Sequence, residues 1–89
     1  MTDWALLTNH TRLLLAIERE PGLRVREMAE RLGPSERGTA LILRDLRSSG
    51  CVTSRREGRR ALYTVVQDKP LRGGDERHRT VGEFLRRFA

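Results

Sequence analysis

"VREMAERLGPSERGTALILRDLRSSG", residues 25–50, decides the fold. Val25, Met28, Ala29 and Leu32 stand at i, i+3, i+4 and i+7, the spacing of one face of a short helix. Gly33 supplies a C-terminal cap, because glycine alone takes left-handed backbone without penalty, and Pro34 prevents the helix from continuing. Ser35 is a good N-cap for a second stretch in which Thr39, Leu43 and Leu46 share a face until Gly50 closes it. The reading is helix, tight turn, helix.

Upstream, the apolar run Leu13 to Ile17 follows two candidate caps, Thr8 and Asn9, and ends before Pro21-Gly22, which predicts a helix over about residues 9–19. Downstream of Gly50 the period changes from helical to two. "CVTSRR" (51–56) and "RRALYTVV" (59–66) are rich in β-branched and aromatic residues and flank Glu57-Gly58, where Gly58 can take the positive φ of a tight hairpin. "QDKPLRGGD" (67–75) is a loop by its Pro, Gly and Asp content, and a final helix capped by Asp75 carries Val81, Phe84, Leu85 and Phe88 on one side. The fold expected is α+β and mainly α: a winged helix-turn-helix, with three core helices, a β-hairpin wing and an added C-terminal helix.

The charge is uneven along this frame. Eighteen basic residues oppose twelve acidic ones, and Lys69 is the only lysine. Residues 1–34 balance at five against five, residues 35–72 hold nine basic against four acidic, and residues 73–89 hold four against three. The surplus therefore falls on the third helix and the hairpin, where "RREGRR" (55–60) crowds four arginines around one glycine. Such repulsion is relieved by an anion, and a basic stripe of this kind is the footprint of nucleic-acid binding. The alternative for each arginine is a surface ion pair, Arg56 with Glu57, or Arg44 with Glu36 or Asp45.

No apolar stretch approaches the roughly eighteen residues of a membrane span, and "MTDWALL" lacks the basic opening of a signal peptide, so a cytoplasmic protein with no membrane partner is expected. Cys51, the lone cysteine, reads as a small buried residue, with a redox switch as the alternative if it is exposed. His10 and His78 have no other ligands placed beside them and read as structural. An enzyme would need a nucleophile with its base, paired carboxylates or a phosphate loop, and none stands at a supporting spacing. The expectation is a non-enzyme with no cofactor and no metal.

From "TNHTRLLLAI" through "VREMAERLGPSERGTALILRDLRSSGCVTSRREGRRALYTV", over roughly residues 8–66, the chain resembles small stand-alone winged helix-turn-helix transcriptional regulators of the MarR and ArsR kind. "PLRGGDERHRTVGEFL" (70–85) resembles the C-terminal tail of compact bacterial members. The resemblance implies a homodimer on double-stranded DNA, with the third helix in the major groove and the wing beside the backbone. On that basis the domain assignment is a DNA-binding winged helix over residues 1–70 and a tail and helix over 71–89 that serve dimerisation. ArsR-like metal sensors carry cysteines on the reading helix or clustered ligands elsewhere, whereas residues 35–49 contain no Cys or His.

The candidate DNA-binding residues are Ser35, Arg37, Ala40, Leu41, Arg44 and Arg47 on the third helix, and Arg55, Arg56, Arg59 and Arg60 on the hairpin. A helix N-terminus at Ser35 offers free N–H groups to a phosphate, and the arginines neutralise others or enter a narrow minor groove. Ala40 and Leu41 depart from the resemblance, since bidentate base reading needs Arg, Lys, Asn or Gln. They touch a thymine methyl group, or Leu41 meets another protein. The rival function is accordingly a winged-helix protein–protein interaction module. Leu13 to Ile17 are apolar on more than one side of the first helix, which suggests that one chain cannot cover them all. The expected dimer interface is Trp4, Leu6, Leu7, Leu14, Val81, Phe84, Leu85 and Phe88, the alternative being that the last helix folds back over the first within a monomer.

Overall fold

The computed structural model describes residues 8–70 and 80–88. Its elements run α1 (Asn9–Arg19), α2 (Val25–Leu32), α3 (Glu36–Ser48), β1 (Val52–Glu57), β2 (Arg60–Val65) and α4 (Val81–Arg86). The order is the one the periodicity predicts, three helices, a hairpin and a last helix, and it is mainly helical.

Local chemistry explains the boundaries. Thr8 caps α1, its hydroxyl accepting from the Thr11 amide at 3.3 Å, and Ser35 caps α3 by accepting from the Gly38 amide at 3.0 Å. At the start of α2 the Glu27 carboxylate reaches back to the Arg24 amide at 2.9 Å. Gly33 ends α2 at φ +105°. After α3 the chain makes a full Schellman turn: Cys51 donates to the Leu46 carbonyl at 2.9 Å and Gly50, at φ +85°, to that of Arg47 at 3.1 Å. Two orphan carbonyls are thereby satisfied, and the chain is aimed into β1.

β1 and β2 pair antiparallel, Val52 opposite Val65 and Glu57 opposite Arg60. Glu57 is therefore the last strand residue, and the two-residue loop is Gly58-Arg59, one position later than the composition suggests. Gly58 has φ +64° while Arg59 has a negative φ, a combination that fits a type II′ turn with glycine first. Alternation sends Val52, Tyr63 and Val65 inward. The hairpin leans on the α1–α2 turn, where the Tyr63 amide donates to the Pro21 carbonyl at 3.2 Å.

One apolar cluster joins Leu13, Leu14, Leu15 and Ile17 of α1, Leu23, Met28 and Leu32, Leu43 and Leu46 of α3, Val52, Tyr63 and Val65 of the hairpin, and Val81 and Leu85 of α4. The run in α1 is thus covered within a single chain. The helix is central, with α2, α3 and β2 all packed against it, so it needs a broad apolar surface rather than a stripe. Each such leucine contributes about 1.5–3 kcal/mol by leaving water.

The last helix departs from expectation at its start. Thr80, not Asp75, is its N-cap: Thr80 and Glu83 form a capping box, with the Thr80 amide donating to Glu83 Oε1 at 2.9 Å and the Glu83 amide to Thr80 Oγ1 at 3.2 Å. Asp75 lies outside the described residues. The first amides of α4 are satisfied by the loop after β2, Val81 donating to the Lys69 carbonyl at 2.8 Å and Gly82 to that of Gln67 at 2.9 Å. The Gln67 amide in turn donates to both Glu18 carboxylate oxygens at 2.8 Å, and Arg19 donates to the Phe88 carbonyl at 3.1 Å, which fastens α4 to the end of α1. Among the described residues no helix is long and apolar enough to cross a membrane.

Candidate nucleic-acid interface

The outer surface of α3 and the hairpin form one basic band. Thr39, Leu43 and Leu46 point into the core, which leaves Arg37, Ala40, Leu41, Arg44 and Arg47 exposed on the other side of the helix. Ser35 is exposed at the N-terminus of that helix, although its hydroxyl is engaged as the cap. Arg44, Arg47 and Ser48 of α3 face Val52, Thr53 and Ser54 of β1 across an open groove, so the helix and the base of the wing share one concave surface. The hairpin adds Arg55, Arg56, Arg59 and Arg60, all exposed, with Arg55 and Arg56, adjacent on β1, on opposite faces of it.

The ion pairs that form are not the ones the sequence suggests. Glu57 pairs with Arg55 at 3.3 Å rather than with Arg56, because residues two apart on a strand share a face while adjacent ones do not. Asp45 meets His10 Nε2 of α1 at 3.3 Å rather than Arg44. Among the described residues, Arg55 is the one member of the band engaged in an ion pair, and that pair is well exposed, at 73% and 67% for its two side chains. An exposed pair of this kind is worth little, so it leaves Arg55 free to exchange partners. Away from the band, Arg31 clasps Glu20 at 2.6 and 3.1 Å, and that hydrogen bond holds the Glu20 carboxyl below the usual carboxylate range.

Arg60 is different. Its Nη2 donates to the Gly22 carbonyl at 2.7 Å, so it ties the hairpin to the α1–α2 turn. The approach is close: a Cβ on Gly22 would stand 3.0 Å from that nitrogen. Arg24 and Arg59 join Arg60 around a second shallow concavity beside Val25, Ala61 and Tyr63. Arg24 extends the basic surface onto α2, and no spacing rule in the sequence singles it out, because its neighbourhood is created by the hairpin folding back.

Cys51 is half-buried against the core, less enclosed than the small buried residue that the sequence suggests. His78 lies outside the described residues, and among those described no group of three or more metal-ligating side chains comes together. Of the residues expected at a dimer interface, Trp4, Leu6 and Leu7 lie outside the described residues. Leu14, Val81 and Leu85 are spent on the chain's own core, at 8%, 2% and 2% exposure, because α4 closes over its own chain. Phe84 is half-buried, and Phe88, edge-on to it with ring centroids 5.2 Å apart, is exposed.

Helix, turn, helix and basic hairpin around one core define a winged helix-turn-helix protein. Solved structures share the architecture. The crystal structure of the PcaV transcriptional regulator from Streptomyces coelicolor in complex with its natural ligand superposes with a TM-score of 0.58 at 28% identity, over 67% of this chain and 45% of that one. A predicted DNA-binding transcriptional regulator from E. coli superposes with a TM-score of 0.64 at 20% identity, over 88% and 70%. The chain thus spans less than half the length of PcaV. No family model matches the sequence, and no curated protein matches it significantly.

Proposed function

We propose that the chain binds double-stranded DNA as a transcriptional regulator of the MarR/ArsR kind and acts as a homodimer. The observation that carries this reading is the set of exposed arginines on the outer side of α3 and on the hairpin, among which, in the described residues, only Arg55 is engaged in an ion pair. In this reading α3 enters the major groove, its N-terminus at Ser35 and Arg37, Arg44 and Arg47 hold phosphates, and Arg55, Arg56 and Arg59 grip the flanking backbone. Arg60 orients the wing as well as adding charge. The similarity to solved transcriptional regulators supports the same assignment.

The dimer draws on the apolar residues that the core leaves over, Phe88 and the half-buried Phe84, together with Trp4, Leu6 and Leu7 of the N-terminal sequence. Two-fold symmetry then sets two reading helices about one turn of DNA apart, roughly 34 Å, and calls for an inverted-repeat site. Because α4 completes the core, truncation after Pro70 would unfold as well as dissociate, and Phe88→Glu is the cleaner probe. Sedimentation at micromolar concentration should show a dimer for the native chain and a monomer for the variant; a monomeric native chain overturns the dimer.

A mobility-shift titration against random duplex over a range of salt tests DNA binding, which should weaken with a log–log slope of about −0.9 per phosphate neutralised. No binding to any duplex at low salt refutes the reading and favours the protein-interaction module.

A further inference from the structure

We infer that Leu41 reads the C5-methyl group of a thymine, so that this chain recognises its DNA by an apolar contact at the centre of its reading helix; this rests on the DNA-binding function proposed above.

Leu41 is 44% exposed and, with Phe88, is one of two large apolar side chains so exposed among the described residues. On a 3.6-residue helix, Arg37, Leu41, Arg44 and Ser48 form a single outward stripe directly opposite the buried Thr39, Leu43 and Leu46. Leu41 therefore lies on the outward stripe of α3, one turn from an arginine on either side.

The surroundings decide what it meets. Its neighbours one turn away, Arg37, Arg44 and Asp45, are charged, and Ser48 follows two turns on. Ile42, next in sequence, turns toward the core, and Ala40 adds only a methyl group. This is one apolar side chain in a polar field, far smaller than the several hundred Å² of contiguous apolar surface that a protein partner needs. It matches in size the one apolar group that the major-groove floor presents, the thymine methyl. The flanking arginines supply the charge complementarity that brings a duplex, rather than an apolar surface, against this face. Asp45, the acid on this side of the helix that would repel phosphate, is drawn to His10. From Arg37 to Arg44 the helix rises by about 10.5 Å, close to three base pairs, so both guanidinium groups can hold one duplex while Leu41 lies between them.

The experiment selects bound duplexes from a random pool with the native chain and then replaces each thymine of the bound sequence, in turn, with deoxyuridine. The substitution removes the methyl and keeps every hydrogen-bonding group. At one thymine per half-site, binding should fall about threefold to fivefold, the worth of one buried methyl group. In Leu41→Ala the thymine-to-deoxyuridine ratio at that position should drop to near one while the salt slope stays unchanged. Since the side chain is exposed, the variant should unfold at the native temperature, and the deoxyuridine arm uses the unaltered protein in any case. Equal affinity for thymine and deoxyuridine at every position overturns the inference alone, as does a ratio that survives Leu41→Ala. A chain that retains no duplex from the pool overturns the DNA reading and this inference with it.

Discussion

Replacing Arg55, Arg56 and Arg59 together by alanine isolates the electrostatic work of the wing. These three are exposed and, apart from the weak pairing of Arg55 with Glu57, uncompensated among the described residues, whereas Arg60 also holds the hairpin to Gly22 and is left in place. If each arginine neutralises one phosphate, the log–log salt slope should become shallower by about 2.7 for each wing engaged. Between 50 and 200 mM salt one such contact accounts for about a 3.5-fold loss of affinity, so the three of one wing account for about 40-fold, and the native chain should lose that much more than the variant for each wing engaged. Thermal unfolding should be unchanged or slightly improved, since like charges are removed from one tip. The assay is fluorescence anisotropy of a labelled duplex at four or more salt concentrations. A slope identical to the native one would show that the wing does not touch the duplex, and a loss confined to particular sequences would show that it reads bases instead of phosphates.

Three further perturbations test the scaffold. Gly82→Ala drives a methyl into the Gln67 side-chain oxygen Oε1 and to 3.0 Å from the Gln67 carbonyl oxygen and 3.2 Å from its Cβ, at a point where backbone hydrogen bonds fix α4 to the loop; it should destabilise by about 1–3 kcal/mol in urea unfolding, and an unchanged midpoint would mean that the contacts yield freely. Thr39→Val swaps a fully buried hydroxyl that has no hydrogen-bond partner among the described residues for a methyl of similar shape, and should raise stability by about 1 kcal/mol; a clear loss would show that the hydroxyl is satisfied in solution. Glu20→Gln tests the clasp with Arg31: because folding lowers the Glu20 pKa, the stabilisation is complete above the usual carboxylate range and fades as pH falls through the lowered value. The variant should accordingly melt slightly below the native chain near pH 7 and coincide with it in strong acid, and a gap that widens toward low pH would contradict the sign.

The three core helices and the hairpin were legible because their signals are local. Caps at Thr8 and Ser35, left-handed glycines at 33 and 50, and the change of period after Gly50 each act within a few residues. What was not legible depends on tertiary closure. The α1 run looked too broad for one chain because periodicity does not say how many neighbours a helix will have. Composition alone favours Asp75 as much as Thr80, since Asp and Thr are both good caps, and the choice of Thr80 depends on Glu83 closing the box and on Lys69 and Gln67 presenting their carbonyls. Within the candidate interface, the exposure of Arg37, Leu41 and Arg44 follows from helical phase alone. The engagement of Arg60 with Gly22, 38 residues away, does not.

That anchorage has a consequence for how the protein tolerates change. Both ties that hold the hairpin to the α1–α2 turn end on main-chain oxygens, those of Pro21 and Gly22. A carbonyl is present whatever residue occupies the position, so substitutions in the turn cannot delete the acceptor; at Pro21 they act by shifting the backbone that carries it, and at Gly22 also by crowding Arg60. The burden of keeping the wing's attitude therefore falls on one replaceable side chain, Arg60. A change at Pro21 should therefore be absorbed quietly, a side chain at Gly22 would crowd the Arg60 guanidinium, and a change at residue 60 would remove one tie while the Tyr63 bond remains.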